Sequence, residues 1–156
     1  MKGTKMNVIA GIKNWQIERQ LDKQGYSWGN EAVNDLEETM EALGYDVPKE
    51  KRQAIREEFE YFVSFIAGKY ELKQKTPTLE DTVDAHCDKI VFNTGAILKL
   101  GFDPVCALQE TLKEISSRTG SIVNGKFQKD KSPEAVAKWY KANYKKCLIK
   151  NAKEDK

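Results

Sequence analysis

A chain of 156 residues is long enough for one domain with a hydrophobic core and short for two. Its 26 Lys and Arg stand against 24 Asp and Glu, a formal charge of +2 that gives no bulk electrostatic reason to bind nucleic acid. The three cysteines, at positions 87, 106 and 147, lack CxxC spacing and are odd in number, so no zinc site is suggested and a reduced, cytoplasmic protein is expected.

The start, MKGTKMNVIAGIKNW, lacks the apolar run of a signal peptide, and no window approaches the roughly 18 apolar residues of a membrane span. A soluble protein with no membrane partner is expected. Val8, Ile12, Trp15 and Leu21 form a helical stripe, helix one, with Arg19 and Lys23 outside it. Ser27 or Asn30 can cap a second helix whose apolar face is Val33, Leu36, Met40 and Leu43, ended by Gly44. Pro48 opens a third helix, marked by Ile55, Phe59, Phe62 and Ile66 and running to about Tyr70. After the polar loop KQKTPT, Thr78 caps a fourth helix that runs through Leu100 and is closed by Gly101. The GFDP turn starts a fifth at about Pro104, continuing to Ser117. TGSIVNGKFQKDKS, Thr119 to Ser132, has the glycines of a loop or short hairpin. A last helix after Ser132-Pro133 carries Trp139, Tyr140 and Tyr144. A single helical domain over residues 1–150 and a frayed tail over 151–156 complete the expected organisation.

Helix four concentrates the polar chemistry. At about 100° per residue, with Asp84 as zero, Asp88 lies near 40°, Asp81 near 60° and Glu80 near −40°. Val83, Cys87, Ile90, Val91 and Leu98 cover about −20° to −120°. The acids therefore border the apolar face, near a seam where helices meet. Like charges crowded there are costly unless a cation offsets them, and oxygen-only ligands suit Mg²⁺ or Mn²⁺. Two other helices can supply further carboxylates: LEETMEALG with Glu37, Glu38 and Glu41, and REEFEYF with Glu57, Glu58 and Glu60. Glu38 and Glu57 also project opposite their apolar stripes, as plain solvated faces do. His86 and Cys87 point about 100° apart and cannot form a catalytic dyad; Cys87 reads as a small core residue, and His86 carries no chemistry.

The order of these segments resembles the MazG-like, all-α nucleoside triphosphate pyrophosphohydrolases, in particular phage-type members. Glu37-Glu38-Thr39-Met40-Glu41 reads EExxE, preceded by NWQIER at Asn14 to Arg19. The second acidic motif is irregular: the family's ExxD would need an acid at Ala85 if Asp88 is its aspartate, so either Asp84 stands one residue early or Asp81 to Asp84 serves as DxxD. IVFNTGAILKLGFDP, KEISSRTGS and NGKFQKD are similar to the apolar helix, the serine segment and the phosphate-side loop that follow. The interval from Glu41 to Asp81 is longer than in most members, and pairing Glu57 and Glu60 with helix four would shorten it. Glu38 and Glu41 are preferred because REEFEYF places Tyr61 where EExxE needs its last acid.

The resemblance implies an antiparallel bundle of about five to six helices, assembled as a homodimer or dimer of dimers, with Phe59, Phe62, Phe65 and Ile66 as an apolar contact surface. It implies Mg²⁺, or Mn²⁺ in its place, on Glu38, Glu41, Asp84 and Asp88, and Glu37 or Asp81 as the general base. Lys126, Lys129 and Arg118 would face the phosphates, and Trp15 the base. Three rivals remain. A hydrolase of the same architecture could act on another phosphorylated nucleotide such as phosphoribosyl-ATP. A helical interaction module would need no metal. A nucleic-acid binder is disfavoured by the single aromatic, Phe127, in the basic loop.

Overall fold

The structure is a computed structural model and describes residues Asn7 to Ile149. The expected frayed tail lies outside the described residues. Those residues are largely helical: α1 covers Val8–Glu18, α2 Trp28–Ala42, α3 Arg52–Lys69, α4 Leu79–Lys99, α5 Pro104–Ser117 and α6 Pro133–Val136. A two-stranded antiparallel sheet pairs β1, Gly120–Val123, with β2, Lys126–Lys129. No described helix is long and apolar enough to cross a membrane. The chain divides into two compact units, Gly25–Thr76 and the joined segments Met1–Gln24 and Pro77–Lys156.

In the larger unit, the Asn7 side chain accepts from the N–H groups of Ile9 and Ala10 and so starts α1. The helix stops at Glu18 because Gln20 turns into the left-handed region at φ 55°. Leu21 therefore sits in a 3-10 turn, Leu21–Lys23, and not on helix one as its spacing suggested. Thr78 and Asp81 close a reciprocal capping box on α4. At its far end Gly101 adopts φ 81°, and the Phe102 N–H donates to the Ile97 carbonyl. Asp103 caps α5 through the N–H groups of Val105 and Cys106, with Pro104 in the first turn.

The expected last helix is only the single turn α6, and Trp139, Tyr140 and Tyr144 lie beyond it. Side chains of α5 take the backbone donors that a longer helix would have kept. Tyr140 N–H donates to Ser117 Oγ, Ala142 N–H to Glu114 Oε2 and Asn143 N–H to Glu110 Oε2. Glu110 is the anchor, with its side chain only 1 % exposed. It accepts from Lys113 at 2.8 Å and pairs with Lys146 at 2.5 Å, and the Tyr140 hydroxyl donates to it. These donors, Lys113 first, then Lys146 and Tyr140, hold its carboxyl far below the usual carboxylate range. The Ala142 N–H, and then Arg118, lower Glu114 as well.

The expectation of reduced cysteines is overturned: Cys106 at the start of α5 and Cys147 at the end of the strap form a disulfide, with their Cα atoms 5.4 Å apart. The odd count described Cys87 alone. That residue is free and exposed, not a core residue, because α4 buries none of its side chains in the single chain. Beside the disulfide, Asp103 N–H donates to the Cys147 carbonyl and Ile149 N–H to the Gly101 carbonyl, both at 2.8 Å. Val8, Ala107, Leu112, Ala135 and Cys147 are the buried apolar side chains among the described residues of this unit.

The smaller unit is the hairpin of α2 and α3. α2 begins at Trp28 and is closed by Gly44 at φ 89°, where Tyr45 N–H donates to the Met40 carbonyl. Arg56 on α3 pairs with Glu60 and donates to Asn30 on α2. Gly29 is buried against that pair: a Cβ there would lie 2.6 Å from Arg56 Nη2 and 2.7 Å from Glu60 Oε1. Val33 and Val47 are buried, and α3 buries no residue.

Two consequences for stability can be measured. Because folding depresses Glu110 and Glu114, their contribution is present above the unfolded glutamate value of 4.5 and is lost as the pH falls through their folded values. Urea melts from pH 7 downward should show stability falling below about pH 4.5, with a shallower fall in Glu110→Gln, whose Tm is also lower by several degrees at neutral pH. Reducing the disulfide, which spans a sequence separation of 41, should cost up to about 4 kcal/mol from the unfolded chain's regained freedom, read from urea melts with and without dithiothreitol.

Candidate functional site

The acidic residues sort by whether the protein already neutralises them. On α2, Glu37 pairs with Arg52 at 3.1 Å, and Arg52 also donates to Asn34. Glu38 and Glu41, on the exposed side of α2, have no partner among the described residues. The Glu38 carboxyl is raised above its ordinary range, first by partial burial and then by the charges of Glu41 and Glu37. On α3, Glu57 accepts from Gln53 at 2.7 Å and Glu60 is held by Arg56 at 2.8 Å. Of the α3 acids, Glu60 is thus tied through Arg56 to α2, Glu57 is bound within its own helix, and Glu58 has no partner among the described residues.

On α4, Asp81 belongs to the capping box, its carboxylate accepting from the Thr78 N–H at 3.0 Å. Asp84 and Asp88, one turn apart, are exposed and have no partner among the described residues. Glu38 and Glu41 belong to the Gly25–Thr76 unit, Asp84 and Asp88 to the other. No three His, Cys, Asp or Glu among the described residues are grouped so as to hold a metal ion.

The basic candidates separate in the same way. The hairpin of β1 and β2 turns at Asn124-Gly125, both with positive φ, which matches the primed turn favoured between two twisted strands. Lys126 and Lys129 are exposed on β2. Arg118 is bound to Glu114 and lies over the Trp139 ring at 5.9 Å, so it serves the C-terminal strap.

Arg19 is the residue that periodicity misplaced. Its side chain is only 12 % exposed, with the guanidinium 4.7 Å from the Trp15 ring centroid and 4.9 Å from that of Phe127. The hairpin brings Phe127 to it, and Gly120 permits this because a Cβ there would lie 2.7 Å from Phe127 Cζ and 2.1 Å from the Gln128 carbonyl oxygen. Glu18 lies 3.8 Å from Arg19, whose buried Nε has no hydrogen-bond acceptor among the described residues. The i, i+4 spacing of Trp15 and Arg19 was visible in the sequence; the approach of Phe127 was not.

Beside this stack, α1 and α5 flank a cavity of about 410 Å³. Asn14, Trp15 and Glu18 line it from α1, and Gln109, Lys113 and Ser116 from α5. Gln109 carries an amide that no sequence motif singled out, while Asn14 opens the NWQIER stretch.

Comparison with protein-family models, with curated proteins and with solved structures gives no match.

Proposed function

We propose that this chain is a Mg²⁺-dependent nucleoside triphosphate pyrophosphohydrolase, converting a nucleoside triphosphate and water into the monophosphate and pyrophosphate. One observation carries the reading. The four carboxylates that it assigns to metal, Glu38, Glu41, Asp84 and Asp88, have no hydrogen-bond or cationic partner among the described residues, while Glu37 and Glu60 pair with Arg52 and Arg56, and Asp81 and Glu57 accept hydrogen bonds from the neutral Thr78 N–H and Gln53. The Glu38 carboxyl is raised first by partial burial and then by the neighbouring charges of Glu41 and Glu37, which no cation among the described residues offsets. This also favours Glu38 and Glu41 over the α3 pair.

The residues present suit a hard cation, since all four offer oxygen, the ligand atom Mg²⁺ prefers. Bound Mg²⁺ would neutralise triphosphate charge. Mg²⁺ is held by one or two carboxylates together with waters and substrate phosphate oxygens, so each pair is a candidate by itself. Glu37 is the general base of this reading: Arg52 holds Oε2, which fixes the side chain and leaves the other oxygen to take a proton from the attacking water. Lys126 and Lys129 serve the outer phosphates, and Arg19 replaces Arg118, whose charge Glu114 occupies. The disulfide removes the cysteine argument for the cytoplasm, so this reading places the chain there only because nucleoside triphosphates and Mg²⁺ are plentiful there.

A second copy is the other partner. Phe62 and Phe65 on α3, and Val83, Ile90, Val91 and Leu98 on α4, are all at least 49 % exposed, more apolar helix surface than an isolated chain ordinarily leaves in water. Sedimentation velocity at micromolar concentration should show a dimer or larger species, shifted toward monomer by Val91→Asp. A monomeric wild-type protein would remove self-association from the reading.

Incubation with each dNTP and NTP should yield monophosphate and pyrophosphate with Mg²⁺ and nothing with EDTA. Asp88→Ala should lower the rate by about 100-fold or more while leaving the thermal melt within a degree or two, because Asp88 is exposed. No turnover of any nucleotide, with metal binding retained, would point to another phosphorylated substrate. No turnover and no metal binding would leave a helical interaction module.

A further inference from the structure

We infer that the C-terminal strap, from Lys138 to Lys146, is a binding surface for single-stranded nucleic acid, with lysines on the phosphates and tyrosine rings against the bases. That partner lies outside the proposed hydrolysis, and no residue assigned there to metal or triphosphate takes part. The formal charge of +2 conceals a division along the chain. Eight Lys and Arg stand between residues 118 and 149 against Asp130 and Glu134, so the remainder of the chain is net acidic. From Ala135 to Ile149 there is no acid, and KWYKANYKK interleaves lysines with aromatics. A run of like charge is usually just a solvated face. Here the fold sets the run in order.

The strap runs antiparallel along α5. Tyr140 N–H reaches Ser117, Ala142 N–H Glu114 and Asn143 N–H Glu110, the Tyr144 hydroxyl meets Thr111 at 3.1 Å, and Cys147 closes on Cys106. Lys138, Lys141 and Lys145 therefore follow one another along the Ser117 to Cys106 length of the helix, about 16 Å at the usual rise. All three are exposed. The acids beneath do not consume them: Glu110 is met by Lys113 and Lys146, and Glu114 by Arg118, with Lys141 acting on Glu114 only through space. Asp130 accepts from the Ser132 N–H at 2.9 Å, and Glu134 lies on α6, before the first strap lysine. The tyrosines supply what a row of lysines lacks. Both hydroxyls are used inward, Tyr140 on Glu110 and Tyr144 on Thr111, while the residues remain 38 % and 44 % exposed. A ring pinned by its polar end and partly open to water is an oriented platform on which a base of any identity stacks. A duplex hides its base faces, and the single turn α6 is too short to enter a groove, so one strand is selected over two. A lipid surface calls for an amphipathic helix, which the strap does not form.

The test is fluorescence anisotropy of a labelled oligothymidylate of about 12 nucleotides, within the site sizes of single-strand binders, titrated with the full chain. EDTA is present, so no metal can bridge the strand to the carboxylates. Binding in the micromolar range is expected at about 50 mM salt, and log Kd should rise with log salt at a slope of about 2, from three phosphates at about 0.7 each. Lys138→Glu combined with Lys145→Glu should weaken binding by about 10-fold or more and flatten that slope, with the thermal melt unchanged because both residues are exposed. Glutamine at the same two positions is the second variant, and it should lower the slope by itself if charge reversal disturbs the fold. A duplex of equal length, and inorganic polyphosphate of equal charge, which cannot stack, should each compete at least several-fold less well than the unlabelled strand. No binding of the strand, or equal binding by wild type and both variants, overturns the assignment. Equal competition by polyphosphate or duplex also overturns it, leaving a general anion surface. So does tighter binding to phosphatidylserine vesicles than to the strand, which would make the strap a membrane contact.

Discussion

A carboxylate without water organises the larger unit. Glu110 has no exposed surface, and a buried charge persists only where donors surround it. Here two lysines, a phenol and a backbone N–H do so, and three of those four donors come from residues 140 to 146. The C-terminal strap therefore cannot leave α5 without stranding the charge. The disulfide adds a covalent tie at the next turn, joining the start of α5 to the residue after Lys146. An unusually thin set of buried apolar side chains is compensated by polar and covalent connections between α5 and the strap.

The same helix governs the polar cavity. α5 spends one face on the strap, through Glu110, Glu114 and Ser117, and another on α1, through Leu112. Gln109, Lys113 and Ser116 fall along the edge between these two faces, at the i, i+4, i+7 spacing that lines a helix groove. The hairpin that follows α5 then carries Phe127 onto Arg19. Thus a guanidinium at the end of the first helix is fixed by a segment more than a hundred residues later, and the Gly120 backbone is what allows the close approach.

Local signals explain what the sequence revealed. Thr78, Asp103, Gly44 and Gly101 are residues whose side chain, or lack of one, acts within a turn of its own position, and the helix ends they mark stand where they were expected. Asn124-Gly125 worked in the same way for the hairpin. Apart from Leu21, displaced from helix one by the neighbouring Gln20, the failures are long-range. Trp139, Tyr140 and Tyr144 have helical spacing, but α5 competes for their backbone donors. Cys106 and Cys147 have no spacing to read until the strap is laid down. Arg19 looks like a surface cation until Phe127 covers it. On the acidic helices the motif letters were legible, while the partners that distinguish Glu37 from Glu38, or Asp81 from Asp84, were not.

The acids of α4 and its apolar side chains also constrain each other. Asp84 and Asp88 border the surface formed by Val83, Ile90 and Val91, which lies open in one chain. Any protein surface that covers those apolar residues also draws water away from the neighbouring carboxylates. Burial alone would raise the cost of two like charges one turn apart, so apolar association would be opposed by the acids it brings in. A divalent cation reverses that sign, since its attraction to the carboxylates strengthens as water leaves. Under the proposed function, metal binding and self-association on this face are therefore linked equilibria, each favouring the other by the same free energy. The exposed apolar face and the unneutralised acids then have one common cause, a helix left incomplete until both its partners arrive.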